Sequence, residues 1–145
     1  MFGSGAIESD AGVPHIHQMG YVDSEQRQSL IYSAADIVVV PSREDNQPQV
    51  GLEAMACGTP VVGFDAGGIP EYVRDGATGL IAKHADETHL ADRLSCLVDN
   101  QDARLSMGQQ ARLMMEREFE ISQQSQKYTE FYRVLLGAGK RAKAA

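Results

Sequence analysis

Positive charge is scarce in this chain. Lysine and arginine total 13 against 20 aspartates and glutamates, a formal net charge of −7. That balance excludes the basic footprint by which proteins hold nucleic acid. No apolar run approaches the roughly 20 residues of a membrane-spanning helix. The opening Met1-Phe2-Gly3-Ser4-Gly5 has no basic region followed by an apolar one, so no signal peptide is expected. Cysteine is limited to Cys57 and Cys96, too far apart for a CxxC pair. Both sit in apolar helical contexts and read as reduced core thiols. Metal-ligand patterns are missing as well. There is no Asp-x-Asp, and His15 and His17 share one strand face without a third ligand, so no metal is expected. "GSGAIESDAG" contains glycines but fails GxGxxG, and no Ser–His–Asp or Cys–His arrangement is evident. What is left is a soluble protein expected in the cytoplasm. Its 145 residues, 43% of them hydrophobic, suffice for one domain with a real core.

The chain alternates strand and helix signals. "MFGSG" reads as the tail of a strand and a turn, which suggests a domain entered in mid-strand. His15 to Gly20 reads as a short strand ending at "GYVD". Asp23 or Ser24 caps a helix with apolar positions Leu30, Ile31, Ala34 and Ala35. "DIVVVPS" and "TPVVGF" are unbroken apolar runs rich in β-branched residues, the pattern of strands buried on both faces. Between them lies a helix near Val50–Cys57, stopped by Gly58. "DAGGIPEYVRDGATG" is turn-rich with one helical turn at Ile69–Val73, and "GLIA" is a short strand. After Lys83 only helices are expected. Their stripes are Leu90/Ala91/Leu94/Leu97/Val98 with Asp86 as cap, Ala103/Met107/Ala111/Met114, and Tyr128/Phe131/Tyr132/Leu135. All three read as core, and the basic "GKRAKAA" end as a frayed tail. The fold class is therefore α/β, a Rossmann-like parallel sheet with helices on both faces and a C-terminal run of helices.

In such sheets ligands bind beyond the carboxyl ends of the strands. "VVVPS" ends at Ser42, so the polar cluster Arg43-Glu44-Asp45-Asn46-Gln47 lies at that edge. The helix that follows aims its first N–H groups at the same place, where they suit a phosphate. Carboxylates there need another partner, and neutral sugar hydroxyls supply one. Asp45 in the loop and Glu53 one turn into the helix are placed to accept from two sugars flanking a diphosphate, the layout of a nucleotide-sugar. Glu44 reads as a solvated charge.

"PSREDNQPQVGLEAMACGTPVVGFDAGGIPEYVRDGATGLI" resembles the signature of the retaining glycosyltransferases with two Rossmann-like domains (GT-B architecture, group 1 or family 4 type). Five spaced elements carry the likeness. They are an acid, Asp45, separated by seven residues from Glu53-Ala54-Met55-Ala56, then Gly58, Pro60-Val61-Val62, Gly67-Gly68-Ile69-Pro70-Glu71, and Gly76-Ala77-Thr78-Gly79-Leu80. It extends upstream through "MGYVDSEQRQSLIYSAADIVVVPS" and, less strongly, to "YTEFYRVLL".

The resemblance implies roles. Glu53 accepts from ribose, and Asp45, the catalytic-site acid, contacts the transferred sugar. Asp45 is one methylene shorter than the usual Glu, and Asn46 or Gln47, whose side chains both donate and accept, is the candidate to complete that contact. Gln47, Gln49 and Val50 offer backbone amides to sugar and phosphate, Gly68 faces the ligand, and Tyr21 and Val22 lie near the base. The donor would be a nucleotide-diphosphate hexose, transferred with retention and without cofactor or metal. The acceptor would be a glycan or lipid, in polysaccharide or glycoconjugate synthesis, in the cytoplasm or at the inner membrane face. Residues 1–137 would be the donor-binding domain lacking its first strand and helix, and 138–145 a basic tail. The family's basic phosphate pair and its acceptor-binding domain would precede "MFGSG", so transfer by this chain alone is not expected. Two further departures bear on the donor: Asp45 stands where Glu is usual, and Asn46-Gln47-Pro48 replaces Gly-Phe-Gly, with Pro48 unable to donate an N–H. Half of a sugar-nucleotide epimerase and a non-catalytic nucleotide-binding module are the alternative readings.

Overall fold

A computed structural model of the chain describes residues 16–142. The expectations for "MFGSG", "GSGAIESDAG" and His15, and the last three residues of the tail, lie outside it. Within it the order is α1 (Glu25–Ala34), β1 (Val38–Val40), α2 (Gln49–Ala56), β2 (Val61–Phe64), α3 (Ile69–Tyr72), β3 (Gly79–Ala82), α4 (Glu87–Val98), α5 (Gln101–Glu118) and α6 (Ile121–Ala142). The strands form one parallel sheet in the order β1-β2-β3, with Val39 level with Val62 and Val62 level with Leu80. Each strand returns through a helix, as parallel pairing requires.

The sheet is covered on both faces, as expected. Val61 and Val40 join Ala54 and Met55 of α2 and Ala111, Met114 and Met115 of α5 on one side. Val62 and Leu80 meet Leu97 on the other, with Leu90 and Leu94 of α4 packed against them. Every β2 residue is buried. Burying a valine fully, as Val61 and Val62 are, stabilises the fold by about 1.5–3 kcal/mol each. The helix ends follow local chemistry. The Ser24 side chain accepts from the N–H of Arg27, Asp86 from His89 at 2.9 Å, and Asn100 from Ala103 at 3.0 Å. Gly58, at φ +80, ends α2 in the left-handed region.

Several expectations differ from the structure. Residues 16–24 form no strand. Gly20 sits at φ +65, which an extended run cannot pass through, and the residues before it are exposed. Helix α1 buries Tyr32, and Leu30 of the expected stripe is 68% exposed. The second face of β1 is only partly covered: α4 packs over β2 and β3, leaving Val39 exposed. On α6, Tyr128, Phe131, Tyr132 and Leu135 are all at least half exposed, so the stripe is not core among the described residues. Cys57 is half-buried and Cys96 exposed, so Cys96 is no core thiol. The α6 backbone continues to Ala142, past the expected start of the tail at residue 138.

One glycine contact sets how closely α5 lies on α2. A Cβ at Gly108 would stand 2.2 Å from the carbonyl oxygen of Gly58. Gly108→Ala must therefore push the helices apart and should cost about 1–3 kcal/mol in urea unfolding. Gly137→Ala on α6, with nothing within 4 Å, should be neutral or gain up to about 1 kcal/mol. Equal effects of the two substitutions would contradict the α2–α5 contact.

Candidate functional site

The segment after β1 builds the site. Helix α2 begins at Gln49 with Pro48 as its N-cap, and no side chain caps it. Its first-turn amides therefore keep their partial positive charge toward the carboxyl edge of the sheet. A cavity of about 350 Å3 opens there, lined among others by Tyr32, Ser42, Asp45, Gln49, Val50 and Glu53. Among the described residues no lysine or arginine lines it. Arg43, the one cation of the polar cluster, turns instead to Glu87 on α4 at 2.6 Å, an exposed pair that adds little stability. Its carbonyl oxygen lies 2.9 Å from Nε2 of His84.

The two acids are brought to one cavity but held differently. Glu53 is fixed from outside its own helix: the Tyr32 hydroxyl donates to Oε2 at 2.8 Å, joining α1 to α2. Asp45 closes a tight turn on itself, its Oδ1 accepting the N–H of Gln47 at 3.1 Å. The backbone of that turn is pinned from below. A Cβ at Gly67 would lie 1.7 Å from the carbonyl oxygen of Asp45, and one at Gly68 would lie 2.2 Å from that of Asn46. Gly67 also sits at φ +51, so any other residue there would be strained as well as crowded.

The remaining sequence-derived candidates divide. Gln49 and Val50 line the cavity with Asp45 and Glu53. Gln47 lines a neighbouring hollow of about 580 Å3 between α2, α5 and α6, which Glu53 also reaches. Asn46 is exposed, and its backbone rests on the buried Gly68. Tyr21 is 82% exposed and Val22 buried; neither lines the cavity, though the Val22 carbonyl accepts from Gln28, a residue of the cavity rim. Glu44 is exposed and outside the lining. Among the described residues no group of three or more His, Cys, Asp or Glu is placed to hold a metal ion.

Two tyrosines were not legible as site residues. Tyr32 is 2% exposed, and its phenol is held far above the usual range by burial first, then by its hydrogen bond to Glu53 and that carboxylate's charge. Tyr72 is fully buried beneath the first turn of α2. Burial, with the charge of Asp45 second, pushes its phenol up to about 12.

A larger cavity, about 730 Å3, lies at the opposite edge of the sheet, beside Asp36, Gly58 and Pro60. Its cations are already engaged. Arg104 donates to the carbonyls of Leu97 and Val98 at 2.6 Å, and Arg112 to Glu116 at 2.6 Å and to the carbonyl of Ala56. Size therefore does not select the site; the carboxylates and the uncapped helix at the carboxyl edge do.

Comparisons with known proteins bear on family and fold. A family model described as glycosyl transferases group 1 matches residues 2–100. A D-inositol 3-phosphate glycosyltransferase of Corynebacterium efficiens is 44% identical over 93 residues, 63% of this chain and 22% of that protein. Its Mycobacterium leprae counterpart is 38% identical over 118 residues, 76% of this chain and 26% of that protein. The chain thus spans about a quarter of the length of these relatives. Among solved structures, a sucrose-phosphate synthase of Thermosynechococcus elongatus superposes with a TM-score of 0.77 at 30% identity, covering 84% of this chain and 30% of that one. An Anabaena protein, HepE, solved with UDP and glucose, superposes at 0.73 and 23% identity, over 81% of this chain and 32% of that one. At that identity it speaks for the fold alone.

The buried phenols make the fold sensitive to alkali. Tyr72 ionises at 10.0 when unfolded and at about 12 when folded, so the native state favours the neutral form. Its contribution is whole below pH 10 and is lost as pH rises through about 12, and a shift of this size amounts to roughly 2–3 kcal/mol. Tyr72→Phe should flatten that part of the decline, with Tyr32 responsible for a further share. Melting temperatures followed by circular dichroism from pH 8 to pH 11.5 read it, and superimposable profiles of wild type and variant would refute it.

Proposed function

The chain belongs to the glycosyl transferases of group 1, and from that premise we propose that its carboxyl-edge cavity binds the nucleotide-diphosphate sugar that donates a hexose. The observation that carries this reading is the pairing of Asp45 and Glu53 across one cavity with the uncapped start of α2 between them. The diphosphate lies against the first-turn amides of Gln49 and Val50, as anions do at helix N-termini. The Glu53 carboxylate accepts from the ribose hydroxyls, held in place by the Tyr32 hydroxyl. Asp45 accepts from hydroxyls of the transferred sugar, with Asn46 and Gln47 beside it as groups that both donate and accept. Tyr21, Val22 and Gly68 remain candidates at the base and sugar ends of the donor.

In the transfer itself, the bond from the anomeric carbon to the diphosphate oxygen breaks. An acceptor hydroxyl forms a new bond to that carbon on the same face, and its proton passes to the departing diphosphate oxygen. The protein's part is to hold the donor and to stabilise charge on the departing diphosphate, for which the helix start is oriented. We propose a reaction without metal or other cofactor, since the sequence offers no Asp-x-Asp. The acceptor is a glycan or a lipid, handled in polysaccharide or glycoconjugate synthesis in the cytoplasm or at the inner membrane face. No described helix is long and apolar enough to cross a membrane. The acceptor belongs to the part of the longer relatives that this chain does not span. The 145 residues alone are therefore expected to bind donor without transferring sugar.

Paired calorimetric titrations of this chain test the reading, with nucleoside diphosphates in one arm and their glucose conjugates in the other. Glu53→Gln removes a charged acceptor and should weaken both ligands roughly ten- to a hundredfold, about 1.5–3 kcal/mol. Asp45→Asn should weaken only the sugar conjugate, by about 1–3 kcal/mol. Glu44→Gln should change neither. Unaltered affinities in Glu53→Gln would remove that residue from the site, and a selective loss in Glu44→Gln would move the first acid by one position.

A further inference from the structure

Helix α1 gives the carboxyl-edge cavity two polar side chains, Tyr32 and Gln28. They lie four residues apart and so share one helix face. The helix ends at Ala34, just before β1 begins at the amino edge of the sheet, so its earlier residues lie nearer the carboxyl edge. Gln28 therefore stands about 6 Å closer to that edge than Tyr32. Its side chain is half-buried and held: Nε2 donates to the Val22 carbonyl at 2.8 Å. A carbonyl oxygen can only accept, so it must face the amide nitrogen, and the bond fixes which way the amide is turned. Oε1 is turned away from Val22, and among the described residues no hydrogen bond reaches it.

On the donor-site reading the lining divides along the ligand. Asp45 takes the sugar, the start of α2 at Gln49 the diphosphate, and Glu53 the ribose. A nucleotide carries its base on the side of the ribose away from the phosphates. On that side of Glu53 the lining passes onto α1, whose Tyr32 hydroxyl is bonded to Glu53 at 2.8 Å. Gln28 supplies the next polar atom. Val39 and Val50, both exposed, line the same cavity and offer an aliphatic surface for a flat ring. An apolar wall with one oriented polar group is the usual makeup of a pocket for such a ligand.

We propose that Gln28 is the specificity-determining residue for the base, its Oε1 accepting from the ring N–H of uracil or guanine. The proposal rests on the donor-site reading above and adds to it the class of base. With ribose and diphosphate held, the Watson–Crick edge of the base arrives at Gln28 in one register. Uracil presents N3–H there, and guanine N1–H. Cytosine and adenine present a ring-nitrogen lone pair at the same position, which meets the lone pairs of Oε1 and leaves both unbonded. Val22 acts through Gln28. It is buried, and its carbonyl keeps the amide from flipping to present nitrogen instead of oxygen. A flipped amide would reverse the preference.

Calorimetric titrations of the full 145-residue chain with UDP, CDP, GDP and ADP test this. UDP should bind about five- to fiftyfold tighter than CDP, and GDP than ADP, because the disfavoured base leaves polar atoms unpaired. Gln28→Met keeps the side-chain length and removes the amide; Gln28→Ala is the second variant should the first not fold. Either should bring both ratios to within about twofold by weakening UDP and GDP, with CDP and ADP held as before. A structural role for the Gln28–Val22 bond alone would weaken all four nucleotides alike and keep the ratios, and that outcome overturns the proposal. So does a wild type that prefers CDP and ADP. Wild type binding none of the four sinks the donor-site reading and this proposal with it. Wild type binding all four equally, with Glu53→Gln weakening each, sinks the Gln28 role alone.

Discussion

Backbone lies directly on backbone where Gly67 and Gly68 meet the carbonyls of Asp45 and Asn46. The geometry of the polar loop hangs on that contact. The loop leaves β1 after Val40 and must enter α2 at Gln49, and nothing within it is regular structure. A loop of this kind would ordinarily sample many conformations at a cost to any ligand that ordered it. Here the segment after β2 supports it from beneath, at a distance no side chain could tolerate. Ile69 and Tyr72 of α3, both fully buried, tie that support to the core. The position of Asp45 is thus set by residues more than twenty positions later in the chain.

Around that fixed loop the charges are separated by task. The positive end of α2 is left uncapped, the single arginine of the cluster is bound to α4 at the surface, and the two acids, one before the helix start in sequence and one after it, line the same cavity. An anion placed at the helix start would meet amides instead of a cation. The carboxylates would repel an anion seated against them, and so they favour neutral hydroxyls flanking it. This is the arrangement a sugar–diphosphate–sugar ligand needs. It answers why acidic residues crowd a site whose helix dipole invites negative charge. Glu53, on the helix itself, has one more restraint, the Tyr32 hydroxyl, which holds its carboxylate in place at the cavity.

What was legible in the sequence was what neighbours along the chain decide. Val61–Phe64 and Gly79–Ala82 read as buried strands because their own residues leave no polar face. Asp86 and Gly58 marked helix ends through bonds and dihedrals that span a few residues. The acids Asp45 and Glu53 were legible because a loop at a strand end and a helix start are consecutive in sequence. The failures all turn on partners elsewhere. Tyr32 displaced the expected α1 stripe because its hydroxyl finds Glu53 and its carbonyl accepts from Thr59, a bond buried between two elements. Val39 looks like its neighbours in sequence, yet α4 covers β2 and β3 and leaves it exposed. The α6 stripe has the right period for a core helix and no described surface that covers it. Periodicity reports that a face is apolar, not what it meets.

The costs of the fold are concentrated where a ligand would repay them. Elsewhere the helices are conventionally finished, with Ser24, Asp86 and Asn100 accepting from their own first turns. At α2 the cap is a proline that accepts nothing through its side chain, the loop before it carries an exposed acidic turn, and beneath its first turn lies a buried hydroxyl without a partner. Each of these could be relieved by an ordinary substitution: serine or aspartate at the cap, a non-acidic turn residue, phenylalanine at 72. All three sit at one edge of the sheet and within one turn of the same helix. Defects scattered by chance would not be expected to coincide in this way, whereas unsatisfied donors and acceptors gathered at a binding edge each have a ligand atom to meet. On the proposed donor-site reading these features amount to preorganisation, a set of polar groups held apart from one another for a molecule with hydroxyls at both ends and phosphate in the middle.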